Sequence, residues 1–102
     1  MKRAIASQEI YGRAPDGARR RFSVAVAAPV RDAEGEGWLC RVTVADVLRP
    51  TSERGADSYE ALARGMGRVR RELAVLTDAG WRLYADAAEQ RSLDDEGWFG
   101  AG

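Results

Sequence analysis

The apolar period of this chain changes once, near Asp57. Upstream, apolar residues recur at every second position, as on strands with one buried face. Downstream, they recur at steps of three and four, as on a helix with one buried stripe. The order is strand, strand, strand, then one long helix. It predicts an α+β domain, an antiparallel meander of three to four strands with one face covered by a long amphipathic helix.

The clearest strand is Trp38 to Val47, with Trp38, Cys40, Val42 and Val44 on one face and Leu39, Arg41, Thr43 and Ala45 on the other. Before it, Arg20 to Pro29 alternates Phe22, Val24, Val26 and Ala28 against Arg21, Ser23, Ala25 and Ala27. Pro29 donates nothing to a ladder and ends that strand. Pro15-Asp16-Gly17 is a turn signal, because proline presets φ and glycine accepts positive φ. It joins this strand to a first one, Arg3 to Tyr11, whose weak alternation suits a sheet edge. Leu48 to Ala56 reads as a loop, with a short fourth strand before Pro50.

Asp57 is placed as an N-cap, with Glu60 as its capping-box partner. The helical stripe reads Tyr59, Leu62, Ala63, Met66, Val69, Leu73 and Leu76, and Gly80 suits the left-handed position past the end. Arg64, Arg68 and Arg71 fall opposite the stripe as a solvated face, while Arg70 borders it. Gly65 and Gly67 flank it and predict a close neighbour, because each costs about 1 kcal/mol against alanine in a helix interior.

Beyond Gly80 the pattern is ambiguous. Trp81, Leu83 and Ala85 alternate as a strand, whereas Tyr84 to Arg91 equally suits two helical turns. The end of the chain, with Asp94, Asp95, Glu96, Trp98 and Phe99, reads as an irregular tail. The expected organisation is one domain over residues 1–80 and a partly ordered extension over 81–102.

Composition narrows the chemistry. The chain of 102 residues has no histidine and one cysteine, which removes the commonest general base, the usual zinc sites and the Cys–His nucleophile pair. Cys40 on the apolar strand face reads as a buried structural thiol. No phosphate-loop or nucleophile-elbow motif occurs. The expectation is therefore no enzyme and no cofactor or metal. Asp94, Asp95 and Glu96 are adjacent, whereas calcium loops space their ligands alternately. The first residues carry no apolar run of the length of a signal peptide or membrane span, so a cytoplasmic location is expected, with no membrane partner.

Formal net charge is zero, but it is segregated. Residues 1–31 carry seven basic and two acidic side chains, and residues 83–102 carry one basic and five acidic. The neutral whole counts against salt-driven nucleic-acid affinity. The segregation leaves room for a local basic surface, but the favoured expectation is that basic and acidic segments face one another within the fold.

The strand Trp38-x-Cys40-x-Val42-x-Val44 and the helix start Gly55-Ala-Asp57-Ser58-Tyr-Glu-Ala61-Leu62 together resemble a family of small bacterial proteins of unknown function. The turn at Asp16-Gly17 and the strand ending in Pro29 share the resemblance, which covers roughly residues 5–76. Gly65 and Gly67 stand where that family more often has alanine or leucine, and the tail from Gly80 departs from its pattern. The resemblance implies a compact α+β domain and names no catalytic residue. Neighbourhoods of mobile or interbacterial-competition genes, common in such families, imply an accessory or immunity role.

Three functional classes follow. The first is a protein-interaction module, with an unknown protein partner or as a homodimer, using exposed arginines and aromatics. Its candidate surface residues are Arg21, Arg41, Arg70, Trp81, Tyr84, Trp98 and Phe99. The second is nucleic-acid binding through Arg19-Arg20-Arg21 and the helix arginines, against which stands the lack of aromatics interleaved with them in the sequence. The third is a small-molecule binder or carboxylate enzyme in a cleft between sheet and helix, drawing on Asp46, Glu53 or Asp57.

Overall fold

The computed structural model describes residues 4–93. Six antiparallel strands form one sheet, and one long helix covers part of one face. The strands are β1 (Ala4–Arg13), β2 (Arg19–Ala27), β3 (Val30–Arg31), β4 (Trp38–Val44), β5 (Leu48–Gly55) and β6 (Arg82–Tyr84), with α1 (Ser58–Asp78) between the last two. β1, β2, β4 and β5 make the expected meander. β3 resumes beyond Pro29 on the same neighbour, β4, and β6 adds to the far side of β1.

The hairpin signal holds in detail. Gly17 N–H donates to the Ala14 carbonyl at 2.8 Å, and Asp16 Oδ1 accepts from Ala18 N–H at 2.9 Å. β4 ends at Val44 and not at Val47, because Asp46 takes φ 68° and turns the chain into β5. Leu48 to Gly55, expected mainly as loop, is paired along β4. Proline is tolerated there because β5 is an edge strand, where a missing N–H leaves no ladder bond unmade.

The N-cap behaves as read, Asp57 Oδ1 accepting from Glu60 N–H at 2.8 Å, while the Glu60 carboxylate reaches one residue past the capping-box position, to Ala56 N–H at 2.8 Å. Gly80 takes φ 100°, while its N–H and that of Trp81 satisfy the carbonyls of Thr77 and Leu76.

The buried stripe is rotated from the expected one. It is Ala61, Gly65, Val69 and Leu73, whereas Tyr59 is 82% exposed and Met66 46%. Hydropathy alone gives glycine no weight as a contact residue, yet Gly65 is the point of closest approach to the sheet. A Cβ there would lie 2.7 Å from Cys40 Sγ and 3.1 Å from Val42 Cγ1. β4 is therefore the close neighbour that Gly65 predicts. Gly67 has no such neighbour among the described residues, of which Arg71, with Nη1 at 3.6 Å, alone lies near its missing Cβ.

Ile10, Phe22, Val24, Val26, Cys40, Val42 and Val44 from the strands form the core with that stripe. Leu83 and Leu93 close it at the β6 end, where Leu93 N–H donates to the Leu83 carbonyl. So Leu83 settles the ambiguity after Gly80 as a short strand, followed by a turn whose amides at Gln90 and Arg91 are held by the Asp86 carboxylate.

Candidate interaction surfaces

The helix leans to one side of the sheet. It packs mainly over β4 and β5, which leaves the first half of β1 uncovered. A groove of about 430 Å³ runs there, floored by Val24 and Val26 and walled by Leu62, Met66 and Val69 of α1 and Ile5 to Gln8 of β1, with Arg70 at its rim. The register of β1 on β2 slips by one residue between Ala4 and Ala6. Such a bulge re-aims a side chain. Without it, Ile5 would share the open face with Ser7 and Glu9; with it, Ile5 lines the groove, 54% exposed.

The same stretch is an unpaired edge. β6 covers β1 only at Tyr11, Gly12 and Arg13, so the outer edge from Ala4 to Ile10 has no strand beside it among the described residues. Exposed edges attract foreign strands, and proteins blunt them with proline, charge or cover. β5, the opposite edge, carries Pro50, Arg49, Glu53 and Arg54. The β1 edge carries neither proline nor a basic residue, and its one charge is Glu9.

The other face of the sheet bears no helix among the described residues. As expected, Arg21, Ser23, Ala25, Ala27, Arg41 and Thr43 lie on it. At its β6 end, Glu89 folds over the strands at φ 58°. Arg13 donates to it through Nε at 2.8 Å and Nη2 at 2.7 Å, and Arg19 Nη2 stands 3.5 Å away. The Arg13 hydrogen bond holds the Glu89 carboxyl below its ordinary pKa, and the same bond raises that of the guanidinium.

The candidate residues do not converge. Arg21 and Arg41 lie on the open face, and Arg21 Nε is 3.6 Å from Glu9. Arg70 stands at the groove on the helix side. Trp81 is half-buried, edge-on to Phe22 with ring centroids 5.6 Å apart, so it completes the core. Tyr84 is half-buried on β6 opposite Tyr11. Trp98 and Phe99 lie outside the described residues, as do Asp94, Asp95 and Glu96.

Of the helix arginines, Arg64 is 59% exposed, as a solvated face requires. Arg68 is not simply solvated. It bridges Glu53 on β5 at 3.1 Å and Glu72 at 3.2 Å, tying helix to sheet. Glu72 lies four residues on along the helix, whereas Glu53 is brought beneath the helix by strand pairing.

Cys40 is fully buried, its Sγ–H directed at the Ala27 carbonyl at 3.5 Å, and burial pushes the thiol pKa up, with the nearby Glu53 charge adding to it. Glu53 is thus in an ion pair, Asp57 is a cap, and Asp46 is a turn residue. Among the described residues no group of three or more histidine, cysteine or carboxylate side chains is placed to hold a metal ion, and no helix is long and apolar enough to cross a membrane. Comparison with family models, curated proteins and solved structures gives no match, so the surfaces are interpreted from their own chemistry.

Proposed function

We propose that this protein is a non-enzymatic module that acts by binding another polypeptide, as an accessory or immunity-like factor or as a homodimer. The contact runs along the free edge of β1 and the groove beside it. The observation that carries this reading is the coincidence of the two: an unpaired strand edge from Ala4 to Ile10 flanks an apolar groove in which Ile5 and Met66 are half-exposed. An added strand gains main-chain hydrogen bonds from such an edge and specificity from side chains that enter the neighbouring groove. Arg70, the only charged side chain of the lining among the described residues, favours a carboxylate on the incoming segment.

Sedimentation velocity of the full chain over a wide concentration range, alone and with proteins of the source cell, tests this. The wild type is expected to self-associate or to retain a partner. Met66→Asp and Ile5→Lys are expected to abolish that complex while leaving the circular dichroism spectrum unchanged. A complex that survives both substitutions, or a strict monomer that retains nothing, would overturn the reading.

A further inference from the structure

The face opposite the groove carries a second surface, which strand pairing assembles from distant parts of the chain. In β1, Tyr11 stands opposite Tyr84 of β6 on one side and Arg21 of β2 on the other. Two residues on, Arg13 stands between Arg82 and Arg19. Directly paired residues share a face of the sheet. The alternate row, with Gly12 and Leu83, is buried on the helix side, so both of these rows lie on the open face. A row of three arginines therefore runs across three strands, beside a row of two tyrosines and a fourth arginine.

Two carboxylates answer these four arginines: Glu89 on Arg13 and Arg19, and Glu9 on Arg21. Arg82 is exposed and has no carboxylate partner among the described residues. Among the described residues the four arginines of these two rows thus meet two carboxylates, although the chain as a whole is neutral. Aromatic rings among arginines on an open sheet face are how proteins hold unpaired bases and their phosphates. The linear sequence hides this, because Tyr84 reaches Tyr11 only through the β1–β6 pairing.

We propose that this face binds single-stranded nucleic acid, with phosphates on Arg19, Arg21 and Arg82 and a base against the Tyr11–Tyr84 pair. Arg13 is a positioning residue, held by Glu89 in the middle of the row. The site lies across the sheet from the groove and stands independently of the polypeptide-binding reading.

Fluorescence anisotropy of the full chain with labelled single-stranded DNA and RNA of mixed sequence, and with a duplex of equal length, tests the proposal. Single strands are expected to bind more tightly than duplex, with strong salt dependence. Arg82→Ala and Arg19→Ala should each lower the salt slope by about one. Tyr84→Phe should keep the affinity, whereas Tyr84→Ser should reduce it on the order of tenfold. Glu89→Gln, which removes the competing charge, should raise it. Arg71→Ala, on the exposed helix surface, is the charge-matched control and should change nothing. Absence of binding at low salt would overturn the proposal. So would equal binding of duplex, equal loss in the Arg71 control, or binding of an acidic peptide in place of oligonucleotide. Because Arg19 and Arg82 are exposed, their variants remain informative if Tyr84→Ser fails to fold.

Discussion

Replacing Gly65 by alanine sets two opposing effects against each other. In a helix interior alanine is favoured over glycine by about 1 kcal/mol. At Gly65 the new methyl would stand 2.7 Å from Cys40 Sγ, 3.1 Å from Val42 Cγ1 and 3.3 Å from Cys40 Cβ. Both neighbours are fully buried on a central strand, so neither swings aside into solvent. The helix must rise from β4, and overpacking of this kind costs about 1–3 kcal/mol. The net expectation is a loss of about 1 kcal/mol, or roughly 4–8 °C in Tm for a domain of this size. Gly67→Ala is the control, since only the end of Arg71 lies near. It should gain up to about 1 kcal/mol, which leaves the two variants about 2 kcal/mol apart. Urea unfolding of both gives the comparison. Adding Cys40→Ala to Gly65→Ala should recover part of the loss as a coupling energy in the double-mutant cycle. If Gly65→Ala stabilised as much as Gly67→Ala, the close approach of α1 to β4 would be refuted.

The ion pairs and cap make further predictions. Arg68→Ala should cost about 1 kcal/mol, because it strands Glu53 beneath the helix, whereas Arg64→Ala should cost less than about 0.5 kcal/mol; chemical denaturation separates them. Asp57→Ala should cost about 1 kcal/mol in the same assay, with Asp57→Asn close to wild type. Glu89 and Asp32 both have depressed pKa values in the fold, Glu89 through Arg13 and Asp32 through the Glu34 amide and then Arg54. Their contribution is present above their unfolded values, near pH 4, and is lost as pH falls through the lower folded values. Thermal melts below about pH 4 should therefore show Glu89→Gln converging on wild type.

β2 and β4 were legible because each buries one face, so period two survives in Phe22-Val24-Val26 and in Cys40-Val42-Val44. The helix limits were legible because capping chemistry is local, as at Asp57 and Gly80. What was not legible depended on distant partners. The stripe was misplaced toward Tyr59 and Met66 because steps of three and four cannot show that Gly65 touches Cys40. β5 was read only as a short strand ending before Pro50, whereas proline forbids central pairing alone and the edge strand runs on to Gly55. Trp81 lies in the core although its neighbours in sequence are polar or small. The Tyr11–Tyr84 pair exists only once β6 has docked, so no local pattern announces it.

That docking has a kinetic consequence. β1, β2, β4, β5 and α1 are joined mainly by contacts between elements one or two places apart in the chain, whereas β6 must cross the whole sheet to find β1, the first strand described. Contacts of such long sequence separation close late in folding. Leu83→Ala would then leave the refolding rate nearly unchanged and hasten unfolding, because interactions absent from the transition state act on the escape rate alone. β6 is in this sense the latch that sets how long the native state lasts, while the meander and helix set how quickly it is reached.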